Sequence, residues 1–279
     1  MAHAALNAIV TGISFFRDGL FSLKVAHPQG EPVPRFSAGQ YAILGLPVPG
    51  DDFSPSSAAD RRRPPRVGSM LRRAYSVVSP PSERRHAEFY VTEVDGGKLS
   101  PLLAKLQQGA PIYMSDRFQG DLTLESISES EHETLPDILM LATGTGIAPF
   151  LSMLREYQHR DEKKWRKVVI VHSVREEGDL SYRSMLEHWM AEDPSVSYVP
   201  TLTRDAENAA WTGHRGRLQT ILDDGTLAKL GVSMDPAQTH VFLCGAPEMV
   251  DRTEAMLLPR GFKTWKAKDG GNIHLERYW

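Results

Sequence analysis

The chain has 279 residues, 32 lysines and arginines against 35 aspartates and glutamates, 41% hydrophobic residues and a formal net charge of −3. That length exceeds a typical single core and implies two domains, while the near-balanced charge favours neither a nucleic acid nor a membrane surface as partner. One cysteine, Cys244, excludes an internal disulfide framework, a thiolate-ligated iron–sulfur cluster and a cysteine-rich zinc site, and no metal centre is expected.

The N-terminus, "MAHAALNAIVTGISFF", has no basic region ahead of its apolar residues, so no signal peptide is expected. No apolar run approaches the ~18 residues a membrane span needs, and the expected compartment is the cytoplasm. From there to residue 125 the chain reads as short β-type runs: "NAIVTGISFF", "LFSLKVA", "QYAILGL", "AYSVVS", "EFYVTEV", "PIYMSD" and "DLTL". Runs of this length at close spacing predict an antiparallel barrel or sandwich. "KLSPLLAKLQQG" predicts one helix, capped by Ser100, with Pro101 in its first turn and Gly109 at its end. Residues 47–69, rich in proline, serine and arginine, read as a long loop inserted into this domain.

Residues 126–136 are polar and form the expected linker, and the texture changes at 137. "DILMLA", "KVVIVHSV", "SVSYVPTLT" and "THVFLCG" read as strands, alternating with helical patterns in "IAPFLSMLREYQHR", "SYRSMLEHWMAE" and "PEMVDRTEAMLLPRG". Strands alternating with helices predict βαβ units and a parallel sheet over 137–279.

Several constellations carry chemistry. In "MLRRAYSVVSPP" the period of a strand puts Arg73 and Tyr75 on one face and Ser76 on the other, so a tyrosine shares its face with a cation that needs an anion. "DGGKLS" opens the first-domain helix on glycines, which suits either an ordinary capped helix or a phosphate cradle. "MLATGTGIAPF" puts glycines 144 and 146 between a buried strand and a helix, as a plain turn or a second cradle. Arg175 and Arg204 each follow a strand end, with Arg215 and Arg217 beyond, and guanidinium forks there suit a dianionic phosphate as well as open solvent.

"RRAYSVVSPP", "DGGKLSPLLAKLQQGAPI", "LATGTGIAPFLSMLRE", "HSVREEGDLSY", "LCGAPEMV" and the terminal "ERYW" occur in this order over nearly the whole chain. As a set they resemble the bacterial-type ferredoxin (flavodoxin)–NADP reductases of the ferredoxin reductase superfamily. The resemblance implies an N-terminal FAD-binding antiparallel β-barrel and a C-terminal NADP(H)-binding α/β domain. It implies that Arg73, Ala74, Tyr75 and Ser76 bind FAD, the arginine at the pyrophosphate, the tyrosine against the isoalloxazine and the serine near flavin N5. Lys98, Leu99 and Ser100 would offer amides to the FAD diphosphate, and Trp279 would stack on its adenine. Thr143, Gly144, Thr145 and Gly146 would cradle the NADP diphosphate, with Arg175 on its phosphate side and Arg204 and Arg217 on the 2′-phosphate. Cys244 would line the nicotinamide pocket, Tyr278 would cover the flavin face opposite Tyr75, and Glu276 would take the place of an active-site glutamate.

The implied reaction is FAD-dependent electron transfer between NADPH and ferredoxin or flavodoxin, with hydride passing between nicotinamide C4 and flavin N5, by a monomer. An NADH-dependent reductase component serving an oxygenase or haem partner is the alternative, and a non-catalytic nucleotide-binding protein is the alternative of another class. The chain departs from the family's pattern in the 47–69 insertion and in "MSDRFQ" before "GDLTL", where the FAD adenine contacts are open. Arg61, Arg62, Arg63, Arg66, Arg84 and Arg85 flank the flavin-binding strand in sequence and suit an acidic redox partner or a solvated linker equally.

Overall fold

The computed structural model describes residues 6–48, 70–127, 134–158, 163–204 and 210–278. Pro47 of the expected 47–69 loop instead ends a strand, because it pairs with Met70, while residues 49–69 of that loop with Arg61, Arg62, Arg63 and Arg66, residues 128–133 of the expected linker, and Trp279 lie outside the described residues. The described residues form two units, divided between Gln119 and Gly120, with Ser37–Gln40 belonging to the second.

The first unit comprises β1 (Ala8–Arg17), β2 (Leu20–Ala26), β3 (Tyr41–Pro47), β4 (Met70–Ser76), β5 (Ala87–Thr92), α1 (Ser100–Leu103) and β6 (Pro111–Met114). The strands pair antiparallel in the order β4-β3-β6-β1-β2-β5. The two end strands meet: Val77, just past β4, bridges Phe89 of β5, and the Val78 amide donates to the Glu88 carbonyl at 2.7 Å. The sheet thereby curls into the expected barrel, which leaves fewer unpaired edge groups. Its interior is filled by Phe21, Leu23, Leu44, Phe89, Leu103 and Ile112, all fully buried. Truncating one such phenylalanine to alanine costs about 3–5 kcal/mol.

Three local expectations are corrected. The predicted helix through Gly109 stops as α1 at Leu103, because the Lys105 and Leu106 amides tighten to i−3 carbonyls and the Gly109 amide is drawn off to the Val10 carbonyl at 2.8 Å. Ser100 does not cap it; its hydroxyl accepts the Val94 amide at 3.0 Å and closes the preceding loop. "DLTL" is no strand but leads into a 3₁₀ turn at Leu124–Ser126, since the Thr123 amide turns back to Asp121 at 2.9 Å and the Ser126 hydroxyl donates to the Thr123 carbonyl at 2.5 Å.

The second unit comprises β7 (Asp137–Thr143), α2 (Ala148–Tyr157), β8 (Lys167–Val174), α3 (Arg183–Glu192), β9 (Val196–Leu202), β10 (His214–Arg215), α4 (Thr226–Lys229), β11 (Thr239–Gly245), α5 (Pro247–Leu257) and β12 (Ile273–Arg277). All strand pairs are parallel, in the order β10-β9-β8-β7-β11-β12. "ILML", "VVIV" and "VFL" are apolar on both faces because both faces of a parallel sheet are covered. The chain runs outward from β7 through β8 to β10 on one side, then returns to β11 and β12 on the other. That reversal opens a crevice at the carboxyl ends of β7 and β11, where open α/β sheets bind ligands. Among the described residues no helix is long and apolar enough to cross a membrane.

Candidate functional site

On the first unit, β4 carries Arg73, Tyr75 and Ser76 opposite Leu44, Ala42 and Tyr41 of β3. Ser76 is buried, and Tyr75 is half-buried against the barrel core. Burial pushes the Tyr75 phenol up to about 12, although the Arg73 charge pulls it down, so it stays protonated at neutral pH. Arg73 is exposed and its guanidinium donates to the Arg72 carbonyl at 2.7 Å, with no carboxylate paired to it among the described residues. The amides of Lys98, Leu99 and Ser100, in the loop leaving β5, likewise find no acceptor among the described residues. Consecutive open amides and an unneutralised guanidinium are what a diphosphate requires.

On the second unit the crevice is built by two glycines. A Cβ on Gly146 would lie 2.3 Å from the Cys244 carbonyl oxygen, and one on Gly245, at φ +138°, would lie 2.2 Å from Thr143 Oγ1. Only glycine at both positions lets the turn after β7 seat against the end of β11. Thr143 Oγ1 then accepts the Ala246 amide at 3.0 Å, tying the turn to the start of α5.

The C-terminal segment joins this crevice. β12 pairs with β11, bringing Glu276 opposite Cys244. Sequence reading found the tail residues but not the strand that carries them. The Tyr278 amide donates to the Gly245 carbonyl at 2.9 Å, and its phenol donates to the Thr145 carbonyl at 3.0 Å. Cys244 is fully buried with Sγ 3.9 Å from Glu276 Oε1. Burial, and then the Glu276 charge, push its thiol well above the usual range, so it is a neutral thiol and no nucleophile.

The arginines stand at the carboxyl ends of β8 and β9, which are stitched together by Arg204 donating its amide to the Arg175 carbonyl at 3.2 Å. The Arg204 side chain pairs with Glu176 at 3.0 Å, and Arg217 pairs with Glu248 at 3.0 Å. The two guanidinium groups therefore take different carboxylates, and Glu176 is a partner that sequence reading missed. Arg215 of β10 donates to the Trp211 carbonyl at 2.6 Å.

His172 was also missed. It sits buried in β8, with Nε2 2.8 Å from the Gly144 carbonyl oxygen and Nδ1 3.3 Å from the Tyr198 hydroxyl. The available signal was a lone histidine inside the apolar run "KVVIVHSV".

An antiparallel barrel followed by a parallel sheet, with its glycine turn at the switch point, defines a two-domain oxidoreductase of the nicotinamide-nucleotide class. Residues 140–255 match the family model described as the oxidoreductase NAD-binding domain. The chain is 31% identical over 278 residues to ferredoxin–NADP reductase A of Sorangium cellulosum, covering 96% of this chain and 88% of that protein. It is 32% identical over 247 residues to the flavodoxin/ferredoxin–NADP reductase of Escherichia coli, covering 88% and 86%. A ferredoxin NADP+ reductase from Neisseria gonorrhoeae, crystallised with bound FAD and NADP, superposes with a TM-score of 0.77 at 27% identity over 98% of each chain. The chain belongs to the ferredoxin–NADP reductase family.

Proposed function

We propose that this protein is an FAD-dependent reductase that passes electrons between NADPH and a ferredoxin or flavodoxin. The observation that carries the reading is the switch-point crevice, where Gly146 and Gly245 seat the Thr143–Gly146 turn against β11 and the tail tyrosine. When bound, FAD supplies the exchange between the two-electron chemistry of a nicotinamide and the one-electron chemistry of the carrier.

The chain's own residues bind and orient. Arg73 and the open amides of Lys98, Leu99 and Ser100 suit the FAD diphosphate, with Ala74, Tyr75 and Ser76 presenting β4 to its ring system. The phenol of Tyr75, held protonated by burial, offers an apolar ring without a competing negative charge. Thr143, Gly144, Thr145 and Gly146 suit the NADP diphosphate, with Arg175 proposed for its phosphate side and Arg204 and Arg217 for the 2′-phosphate. Cys244 and Glu276 would line the nicotinamide's place, and Tyr278, latched to Thr145, would hold that place until a nucleotide moves its ring aside. We further read the protein as a cytoplasmic monomer, consistent with its single buried thiol.

Purified protein should be yellow and should oxidise NADPH at the expense of ferricyanide and of ferredoxin or flavodoxin. A colourless preparation that neither retains added FAD nor oxidises NADPH would overturn the reading. Faster turnover with NADH than with NADPH would favour the oxygenase-component alternative.

A further inference from the structure

His172 lies outside the groups assigned above, yet it touches the turn on which the NADP reading rests. Its Nε2 faces the Gly144 carbonyl oxygen at 2.8 Å. A carbonyl only accepts, so Nε2 carries the proton and Nδ1 is left to accept from the Tyr198 hydroxyl at 3.3 Å. The imidazole is buried at 2% exposure, and burial lowers its pKa to about 4, so it holds this neutral tautomer at physiological pH.

Gly144 is at φ +52°, exposed, and a Cβ there would meet nothing within 4 Å. Among the described residues no side chain crowds the position a Gly144 side chain would take, and the Tyr278 phenol reaches the next carbonyl, that of Thr145, rather than that of Gly144. In a trans peptide the carbonyl of one residue and the amide of the next point in opposite directions. A bond that draws the Gly144 carbonyl toward β8 therefore aims the Thr145 amide the other way, out of the turn. That amide belongs to the first turn of a helical segment, where no intrahelical acceptor exists.

We propose that His172 is a positioning residue that fixes the Gly144–Thr145 peptide so that its amide faces the nucleotide diphosphate. The proposal rests on the NADP reading of the crevice. It separates from that reading by using two nucleotides, NADP+ and 2′-AMP; the second has the adenosine and 2′-phosphate but no diphosphate.

Isothermal titration of the FAD-loaded protein with each nucleotide provides the test. His172→Phe keeps a buried ring and removes the donor, and should weaken NADP+ binding on the order of tenfold while leaving 2′-AMP within about twofold. His172→Gln places an amide N–H where Nε2 stood and should restore NADP+ binding to within about threefold of the unsubstituted protein. If His172→Phe does not fold, His172→Asn, whose amide is too short to reach Gly144, takes its place. Equal weakening of both nucleotides, or of neither, overturns the positioning role. Failure of the unsubstituted protein to bind either nucleotide overturns the NADP reading itself.

Discussion

The phenol of Tyr278 donates to the backbone carbonyl of Thr145 at 3.0 Å, across 133 residues of sequence. The tail is thus latched to the turn proposed to cradle the NADP diphosphate, and a nucleotide that displaces the ring must first break this bond. Tyr278→Phe keeps the ring and removes the latch. A neutral hydrogen bond contributes about 0.5–1.5 kcal/mol, so NADP+ should bind roughly two- to tenfold more tightly to this variant. Deleting residues 278 and 279 should strengthen binding further. Spectral titration of the FAD-loaded protein with NADP+ measures both, and unchanged affinity in both variants would leave the latch without a part in nucleotide entry.

The pairs Arg204–Glu176 and Arg217–Glu248 bear on cofactor choice. All four side chains are well exposed, so each pair is worth ~0–1 kcal/mol and yields readily to a dianionic phosphate. Arg204→Ala should raise the KM for NADPH on the order of 10- to 100-fold and leave that for NADH nearly unchanged. Glu176→Gln should act oppositely and weakly, lowering the NADPH KM by less than about fivefold. Steady-state kinetics with both nucleotides decides the matter. Equal damage to NADPH and NADH turnover would make Arg204 a structural residue.

Gly144 and Gly146 look alike in sequence and differ in space. At Gly146 a methyl group would press into the Cys244 carbonyl at 2.3 Å and the Gly245 Cα at 2.8 Å, both backbone atoms that cannot move aside alone. Gly146→Ala should therefore separate the turn from β11, with a stability loss of more than about 2 kcal/mol and no measurable NADP+ binding. Gly144→Ala meets only the backbone cost of φ +52°, about 1 kcal/mol, and should keep its fold. Thermal melts of the two variants should separate by several degrees. Coincident melts would mean that the turn can draw away from Cys244 at little cost, and that its seat against β11 does not require glycine.

The barrel and the parallel sheet were legible because their signals are local: strand-length apolar runs, and a period that changes at residue 137. The glycine turn, the strand-end arginines and the tail aromatics were legible as residue types, but their partners were not. Glu176 meets Arg204 across 28 residues, and His172 meets Gly144 across another 28, through sheet pairing that no window of sequence contains. β12 was missed because "NIHLERYW" is short and half polar, and it becomes a strand only by pairing with β11 at the edge of the sheet. "DLTL" misled in the other direction, since Leu122 and Leu124 are buried without the backbone being extended between partners.

Of the buried histidines of the second unit, His172 and His274 resist taking up a proton in the folded state. His274 stacks on Phe242 with ring centroids 4.3 Å apart, and its two nitrogens face Ser126 Oγ and His240 Nδ1, each at 2.9 Å. Burial, and then the His240 charge, lower its pKa to about 3, and burial lowers that of His172 to about 4. In the unfolded chain both would titrate at the ordinary value of about 6.5. Between these limits the unfolded state binds more protons than the folded state, so stability falls as pH falls. Above pH ~6.5 neither histidine contributes a slope; from there down to pH ~4 each contributes about 1.4 kcal/mol per pH unit. Urea unfolding followed between pH 7 and pH 5 should therefore show a steepening loss below pH ~6.5. His274→Phe, which cannot take up a proton, should be less stable at pH 7 for want of its two hydrogen bonds, yet should lose stability more gradually on acidification. Parallel curves for this variant and the unsubstituted protein would mean that folded His274 takes up its proton over the same pH range as in the unfolded chain, and that its burial does not limit acid tolerance.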